Sequence, residues 1–64
     1  MMQHNKIPHE YFMAVKDYFY GDETKAWSWF RTPNPNFHMQ SPLQLIKDGK
    51  AKKVMLFIDY KLAA

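Results

Sequence analysis

Two prolines separated by a single residue, Pro33 and Pro35, restrict the fold of this chain more than any other feature of its sequence. A proline disfavours helical backbone at the residue before it, so a helix that reaches Arg31 cannot continue past this point. The stretch through Asn36 is therefore predicted to be extended or turn-like. These constraints place a stiff, proline-rich loop in the middle of a chain of 64 residues.

A new helix is predicted directly after this loop. Ser41 is followed by Pro42 and, three residues after the serine, by Gln44, which is the pattern of a capping box with proline at the first helical position. Gly49 is predicted to end this short helix. A last helix is predicted over about residues 50–62, and its apolar face consists of Ala51, Val54, Met55, Ile58 and Leu62.

The first third of the chain also has helical periodicity. Pro8 suits the first turn of a helix that runs to about Tyr20, and Gly21 is predicted to supply the left-handed residue that ends it. Asp22 is a good N-cap for the second helix, which should end near Arg31. The buried stripe of the first helix is predicted to consist of Tyr11, Phe12, Val15, Tyr18 and Phe19. The predicted fold is all-α: one domain over residues 1–64, a small bundle of about four helices, with the proline-rich loop between helices two and three.

The composition indicates dependence on a partner. The chain has five Phe, four Tyr, two Trp and five Met, yet at 64 residues a single core is only marginally stabilising. It has no cysteine, so neither disulfides nor thiolate-bound zinc can add stability. No apolar run approaches the length of a membrane span, and the start lacks the apolar stretch of a signal peptide. No membrane partner and a cytoplasmic location are therefore expected.

Few residues have the pattern of a catalytic or metal site. His4, His9 and His38 are not spaced to place two imidazoles and an acidic neighbour on one helical face, so no metal is expected. Ser28 and Ser41 lack sequence cues for a base and an orienting acid. Both glycines fall at predicted helix ends, so no phosphate-cradling loop and no cofactor are expected. The chain is not predicted to be an enzyme.

The two tryptophans are predicted to have different roles. Trp27 and Trp29 are two residues apart, so they lie on nearly opposite sides of a helix and one of them is expected to face away from the core. Trp29 and Phe30 are predicted to pack against the first helix. Trp27 either anchors a partner or lies half-buried against the N-terminal segment or the last helix. In the first case Trp29→Ala would unfold the domain, whereas Trp27→Ala would mainly weaken association.

The last helix carries more apolar residues than one small core can cover. Leu56, Phe57 and Tyr60 lie outside its apolar face and, if exposed together, would form a patch that invites association. Part of this patch is expected to form the seam of a two-fold homodimer, because such dimers are the commonest assemblies. The remainder is expected to bind a different protein.

From about Phe19 to Leu62 the chain carries an ordered series of motifs. They are an alanine, a tryptophan and an aromatic residue at a helix end, a threonine-proline-asparagine loop, a serine-proline-leucine helix start, a glycine and a last apolar helix. The residues are Ala26, Trp29, Phe30, Thr32, Pro33, Asn34, Ser41, Pro42, Leu43, Leu45, Ile46, Gly49, Val54, Phe57, Ile58 and Tyr60. In this series the chain resembles the toxin-binding domain of Xre/MbcA/ParS-type antitoxins, small helical proteins that neutralise toxins carrying the RES domain.

The chain departs from the pattern of that family in three places. His38, Met39 and Gln40 stand where members usually have one or two glycines and a basic residue, so the loop is expected to take a different backbone path. Lys61 stands where a glycine commonly follows the tyrosine. About twenty residues precede the match, too few for the DNA-binding helix-turn-helix of most complete antitoxins. A stand-alone domain without autoregulatory DNA binding is therefore expected.

The resemblance implies inhibition by burial. An antitoxin of this kind docks over the NAD-binding cleft of its toxin, often with its C-terminal segment, and keeps the cofactor out. The expected partner contacts are Trp27, Asn34, Asn36, Phe37, His38, Met39, Phe57, Tyr60, Lys61 and Leu62. The residues expected to hold the domain itself together are Trp29, Phe30, Pro33, Ser41, Pro42 and Gly49.

Two alternative functions stay open. The last third of the chain holds a cluster of lysines that could bind phosphates in a small nucleic-acid-binding protein: Lys47, Lys50, Lys52, Lys53 and Lys61. Such clusters are more often solvated helix faces, and lysine alone gives poor base discrimination, so a nucleic-acid partner is not the expectation. The other alternative is a structural homodimer or accessory protein with a different target.

Overall fold

Four short α-helices follow one another along residues 7–62, the part of the chain that the computed structural model describes. They are α1 (His9–Tyr18), α2 (Glu23–Arg31), α3 (Pro42–Lys47) and α4 (Ala51–Phe57). A 3-10 turn, Pro35–Phe37, lies between α2 and α3, and α4 continues as a single π-helical turn, Ile58–Leu62. Across residues 7–62 there is no β-strand. The prediction of an all-α bundle of about four helices is confirmed.

Side-chain caps mark two of the helix starts. The Asp22 carboxylate accepts a hydrogen bond from the N–H of Lys25 (3.1 Å), and the Ser41 hydroxyl oxygen accepts one from the N–H of Gln44 (3.1 Å). The predicted capping box at Ser41 is only half formed. The reason is that the side-chain amide of Gln44 donates to the Asp48 carboxylate (3.0 Å) at the far end of α3 and does not reach back to Ser41.

The core draws at least one residue from each helix. Its buried apolar side chains are Ile7, Val15, Ala26, Phe30, Phe37, Leu45, Val54 and Ile58. Tyr18, predicted to be buried, is half exposed, and its ring meets that of Phe19 edge-on with the centroids 5.2 Å apart. Tyr18 lies about 100° around α1 from Phe19, at the edge of the packed face, and α1 ends there, two residues before the predicted end.

The ends of α1 and α3 share one hydrogen-bond pattern. In each, two N–H groups beyond the helix donate to carbonyl oxygens in its last turn, at 2.8 and 3.0 Å in α1 and at 2.8 and 3.1 Å in α3. This motif requires a left-handed residue, which is Gly49 in α3 (φ 81°) but Tyr20 in α1 (φ 59°). Gly21, the predicted left-handed residue, also has positive φ (85°) but comes one position later. A tyrosine in this conformation is strained, because its Cβ approaches the following carbonyl oxygen.

Exchanging residue types at these two positions is expected to have opposite effects on stability. Gly49→Ala should lower the free energy of unfolding by about 1 kcal/mol, since an added Cβ meets no atom within 4 Å and the cost comes from φ alone. Tyr20→Gly should raise it by about 0.5 kcal/mol, as relief of strain outweighs the added freedom of the unfolded chain. Urea denaturation of both variants measures this. A Tyr20→Gly variant less stable than the parent would contradict the strain argument.

Candidate partner-binding surface

An aromatic cluster joins the proline-rich loop to α4. The ring centroids of Phe37 and Phe57 are 5.1 Å apart, and Trp29 lies 6.1 Å from Phe57 with the ring planes nearly parallel and 6.4 Å from Phe37. Phe37 is only 7% exposed, and Phe57 is half-buried. The sequence predicts both phenylalanines as partner contacts. In the structure these rings pack against each other and hold the loop on the helix.

Trp27 and Trp29 both pack against the core, on the two flanks of α2. Trp27 lies 5.2 Å from the ring of Phe12 in α1, whereas Trp29 packs toward the loop and α4. Ala26 and Phe30 face the centre of the core between them, so two residues nearly opposite on the helix can each border it. Trp27 therefore does not face away from the core.

Trp27 occupies the half-buried position that the sequence analysis leaves open as its second possibility. Besides Phe12, it lines a shallow cavity of about 210 Å³ with Ile7 and His9. The guanidinium carbon of Arg31 lies 6.0 Å from the centre of its ring. This edge of the molecule is separate from the aromatic cluster formed by Phe37 and Phe57.

The residues expected to hold the domain together differ in burial. Phe30 is fully buried, and its ring stacks on that of Phe12 with centroids 5.9 Å apart. Pro42 is buried at the first position of α3, next to the Ser41 cap. Pro33 is exposed, so it acts on the backbone of the loop and not through burial.

Asn34 organises the loop through its backbone and its side chain. Its carbonyl oxygen accepts hydrogen bonds from the N–H groups of Phe37 and Met39, both at 2.9 Å, and its side-chain oxygen accepts one from the N–H of Asn36 (2.8 Å). Its own N–H donates to the carbonyl oxygen of Gln40 (3.1 Å). These bonds close residues 34–40 into a compact loop, and Asn34, predicted as a partner contact, is half-buried within it.

The tip of this loop is a strained turn formed by His38 and Met39. Their φ angles are 55° and 67°, and the N–H of Gln40 donates to the carbonyl oxygen of Phe37 (3.0 Å) across them. Positive φ at both central residues is the geometry of a type I′ turn, which strongly favours Asn and Gly. His38 and Met39 thus take the left-handed conformation that glycine favours, and the expected difference in backbone path from other family members stays a prediction.

The π-helical turn at the end of α4 sets which C-terminal side chains are accessible. In an α-helix Lys61 would follow Val54 by two turns and fall on the buried face, where its charge could not be solvated. The wider π turn brings Leu62 back against the core, and Lys61 is exposed. Leu62, predicted as a partner contact, is thus half-buried against the core.

The accessible apolar side chains near the aromatic cluster fall into two groups. One is the strained turn, where Met39 is 62% exposed. The other is an apolar strip on the last helix formed by Leu56 (42% exposed) and Tyr60 (74% exposed), which are four residues apart and share a side. Met39 follows Phe37 by two residues, and the apolar strip borders Phe57 along the helix. Each group therefore flanks one ring of the Phe37–Phe57 contact.

The described residues offer little else that could form a functional site. Between residues 7 and 62 no three His, Asp or Glu side chains come together as metal ligands would. In that same range no helix has the length and apolar character that crossing a bilayer requires. His4, one of the three histidines considered above, lies outside the described residues.

A helical bundle that exposes large apolar side chains, such as those of Met39 and Tyr60, has a feature of protein-interaction domains. The sequence profile of the antitoxin Xre/MbcA/ParS C-terminal toxin-binding domain matches residues 14–59, and the chain belongs to this family. No curated protein and no solved structure matches the chain.

Removing either tryptophan is expected to destabilise the fold. Trp27→Ala and Trp29→Ala should each lower the free energy of unfolding by about 3 kcal/mol, because both rings pack against the core. Urea denaturation measures the loss, with Tyr20→Ala as a control that removes an exposed ring. If Trp27→Ala were as stable as the parent, its packing against Phe12 would not contribute to folding.

Neighbouring substitutions in the π turn test its register. Leu62→Ala should cost about 1–2 kcal/mol, because the side chain packs against the core, whereas Lys61→Ala should change stability by less than about 0.5 kcal/mol. Thermal denaturation followed by circular dichroism distinguishes them. Stabilisation by Lys61→Ala would indicate an α-helical register, because that register places Lys61 on the buried face.

Proposed function

We propose that the chain is an antitoxin-like binding module that occludes the NAD-binding cleft of a RES-type toxin. The observation that carries this proposal is the family match over residues 14–59, the domain with which these antitoxins bind their toxins. The RES class of the toxin and the occlusion of NAD come from the resemblance noted in the sequence. The proposed setting is the cytoplasm, and the proposed activity is binding, not catalysis.

The exposed apolar side chains within residues 7–62 support a binding role. Tyr60 is 74% exposed and Met39 is 62% exposed. Exposed apolar surface is typical of protein-binding sites, so the function is expected to reside in the surface.

The exposed turn and the apolar strip are the proposed centre of the toxin contact. A stable interface of standard size buries about 800 Å² on each partner, which is roughly a fifth of the 4477 Å² of accessible surface here. Met39, Leu56 and Tyr60 can supply the apolar centre of such an area, with His38 and Lys61 at its rim. Trp27 lies on another edge of the molecule and is not included.

Co-purification with a RES-type toxin expressed in the same cells tests the proposal. Tyr60→Ala is expected to weaken the complex by at least about tenfold, since a large exposed ring would lose its pocket on the toxin. Tyr20→Ala is the matched control, because it removes a tyrosine that is 99% exposed and lies outside the proposed contact. Isothermal titration calorimetry gives both affinities. The proposal would be rejected if the parent chain failed to bind the toxin or failed to rescue the growth of cells that express the toxin.

Occlusion of NAD has its own readout. Binding of NAD to the purified toxin should be lost when the antitoxin is added in excess. If NAD binds equally well to the complex, the interaction stands but inhibition by burial does not. Sedimentation of the chain alone measures the proposed homodimer, which would compete with the toxin if it uses the same apolar strip.

A further inference from the structure

The backbone strain of the turn is expected to lower the stability of the fold. His38 and Met39 both have left-handed backbone, a conformation that is unfavourable for any residue with a Cβ. A glycine at either position would relieve this strain, and type I′ turns strongly favour Asn and Gly. Residues held in such conformations by the surrounding structure are found most often at binding and catalytic sites.

The conformation of the turn does not depend on a partner. The N–H of Met39 donates to the carbonyl oxygen of Asn34 (2.9 Å), and the N–H of Gln40 donates to that of Phe37 (3.0 Å). Phe37 is buried against Phe57, so the base of the turn is anchored on α4. Met39 itself is 62% exposed. The loop thus holds one large apolar side chain outward in a fixed position.

Strain alone does not single out this turn, because Tyr20 is also left-handed and exposed. Two features distinguish Met39. Two consecutive strained residues form its turn, whereas Tyr20 ends a helix and is followed by a glycine. Met39 also follows Phe37 by two residues, so the Phe37–Phe57 contact anchors the turn that carries it.

We propose that the strained turn is a preorganised anchor that inserts the side chain of Met39 into an apolar pocket on the toxin. This inference rests on the proposed function and names one contact within it. Methionine is unbranched, polarizable and uncharged, and so fits an apolar cavity of irregular shape. Because hydrogen bonds already order the backbone of the turn, little backbone entropy is lost when the complex forms. Stability given up in the free protein is offset by affinity in the complex.

Two glycine variants separate the backbone from the side chain. Met39→Gly and His38→Gly should each raise the Tm of the free chain by about 2–4 °C, because each relieves one left-handed residue. Only Met39→Gly should weaken binding to the RES-type toxin, by at least about tenfold. His38→Gly keeps the Met39 side chain and should bind within about threefold of the parent. Met39→Leu keeps an apolar side chain of similar volume and should also bind the toxin within about threefold of the parent.

Calorimetry with purified toxin, together with melts of each variant without toxin, decides the outcome. Undiminished binding by Met39→Gly overturns the inference and leaves the proposed function intact. Equal losses of affinity in Met39→Gly and His38→Gly also overturn the inference. The toxin would then recognise the shape of the turn and not the side chain of Met39. If Met39→Leu loses as much affinity as Met39→Gly, the proposal that the pocket on the toxin is apolar is overturned. Absence of binding by the parent chain rejects the proposed function and, with it, the anchor.

Discussion

The packing of Phe37 on Phe57, with ring centroids 5.1 Å apart, is the contact on which the accessible surface of this protein depends. The loop after α2 contains two prolines and cannot join a helix, so only a tertiary contact can give it a fixed place. Phe37 provides that contact by entering the core beside Trp29. As a result the turn at His38 and Met39 is held at a defined position relative to the last helix.

A core this small cannot bury every apolar side chain of the chain, and the choice of which to leave exposed follows from geometry. α2 places Ala26 and Phe30 at the centre of the core. Its two tryptophans pack against the core on either side of them. α4 buries Val54 and the π turn that follows it buries Ile58, which leaves Leu56 and Tyr60 on the opposite side. The π turn then spares Lys61 from burial. The residual apolar surface is therefore a consequence of how the helices pack, and it is the part of the molecule best suited to bind another protein.

Most of the helices could be predicted from the sequence because their signals are local. Asp22, Ser41 and Gly49 occupy the cap and helix-end positions that their chemistry favours, and the helical period of the apolar residues identifies the buried face of α4. The family could also be recognised, since its motifs lie in linear order over residues 14–59. Local rules were less successful where a helix ended or turned irregular. A tyrosine took the left-handed position at the end of α1, and a π turn replaced the last turn of the predicted helix.

By itself the sequence determined the all-α class, the order of the helices, the rigid loop between α2 and α3 and membership of the antitoxin family. Only the tertiary structure decided which aromatic residues are accessible. Phe37 and Phe57 are covered by each other, Trp27 is covered by α1, and Met39 and Tyr60 are left in solvent. The reason is physical: residue type and spacing fix the direction of a side chain on its own helix, but burial depends on which neighbouring element arrives opposite it. That depends on contacts between distant parts of the chain.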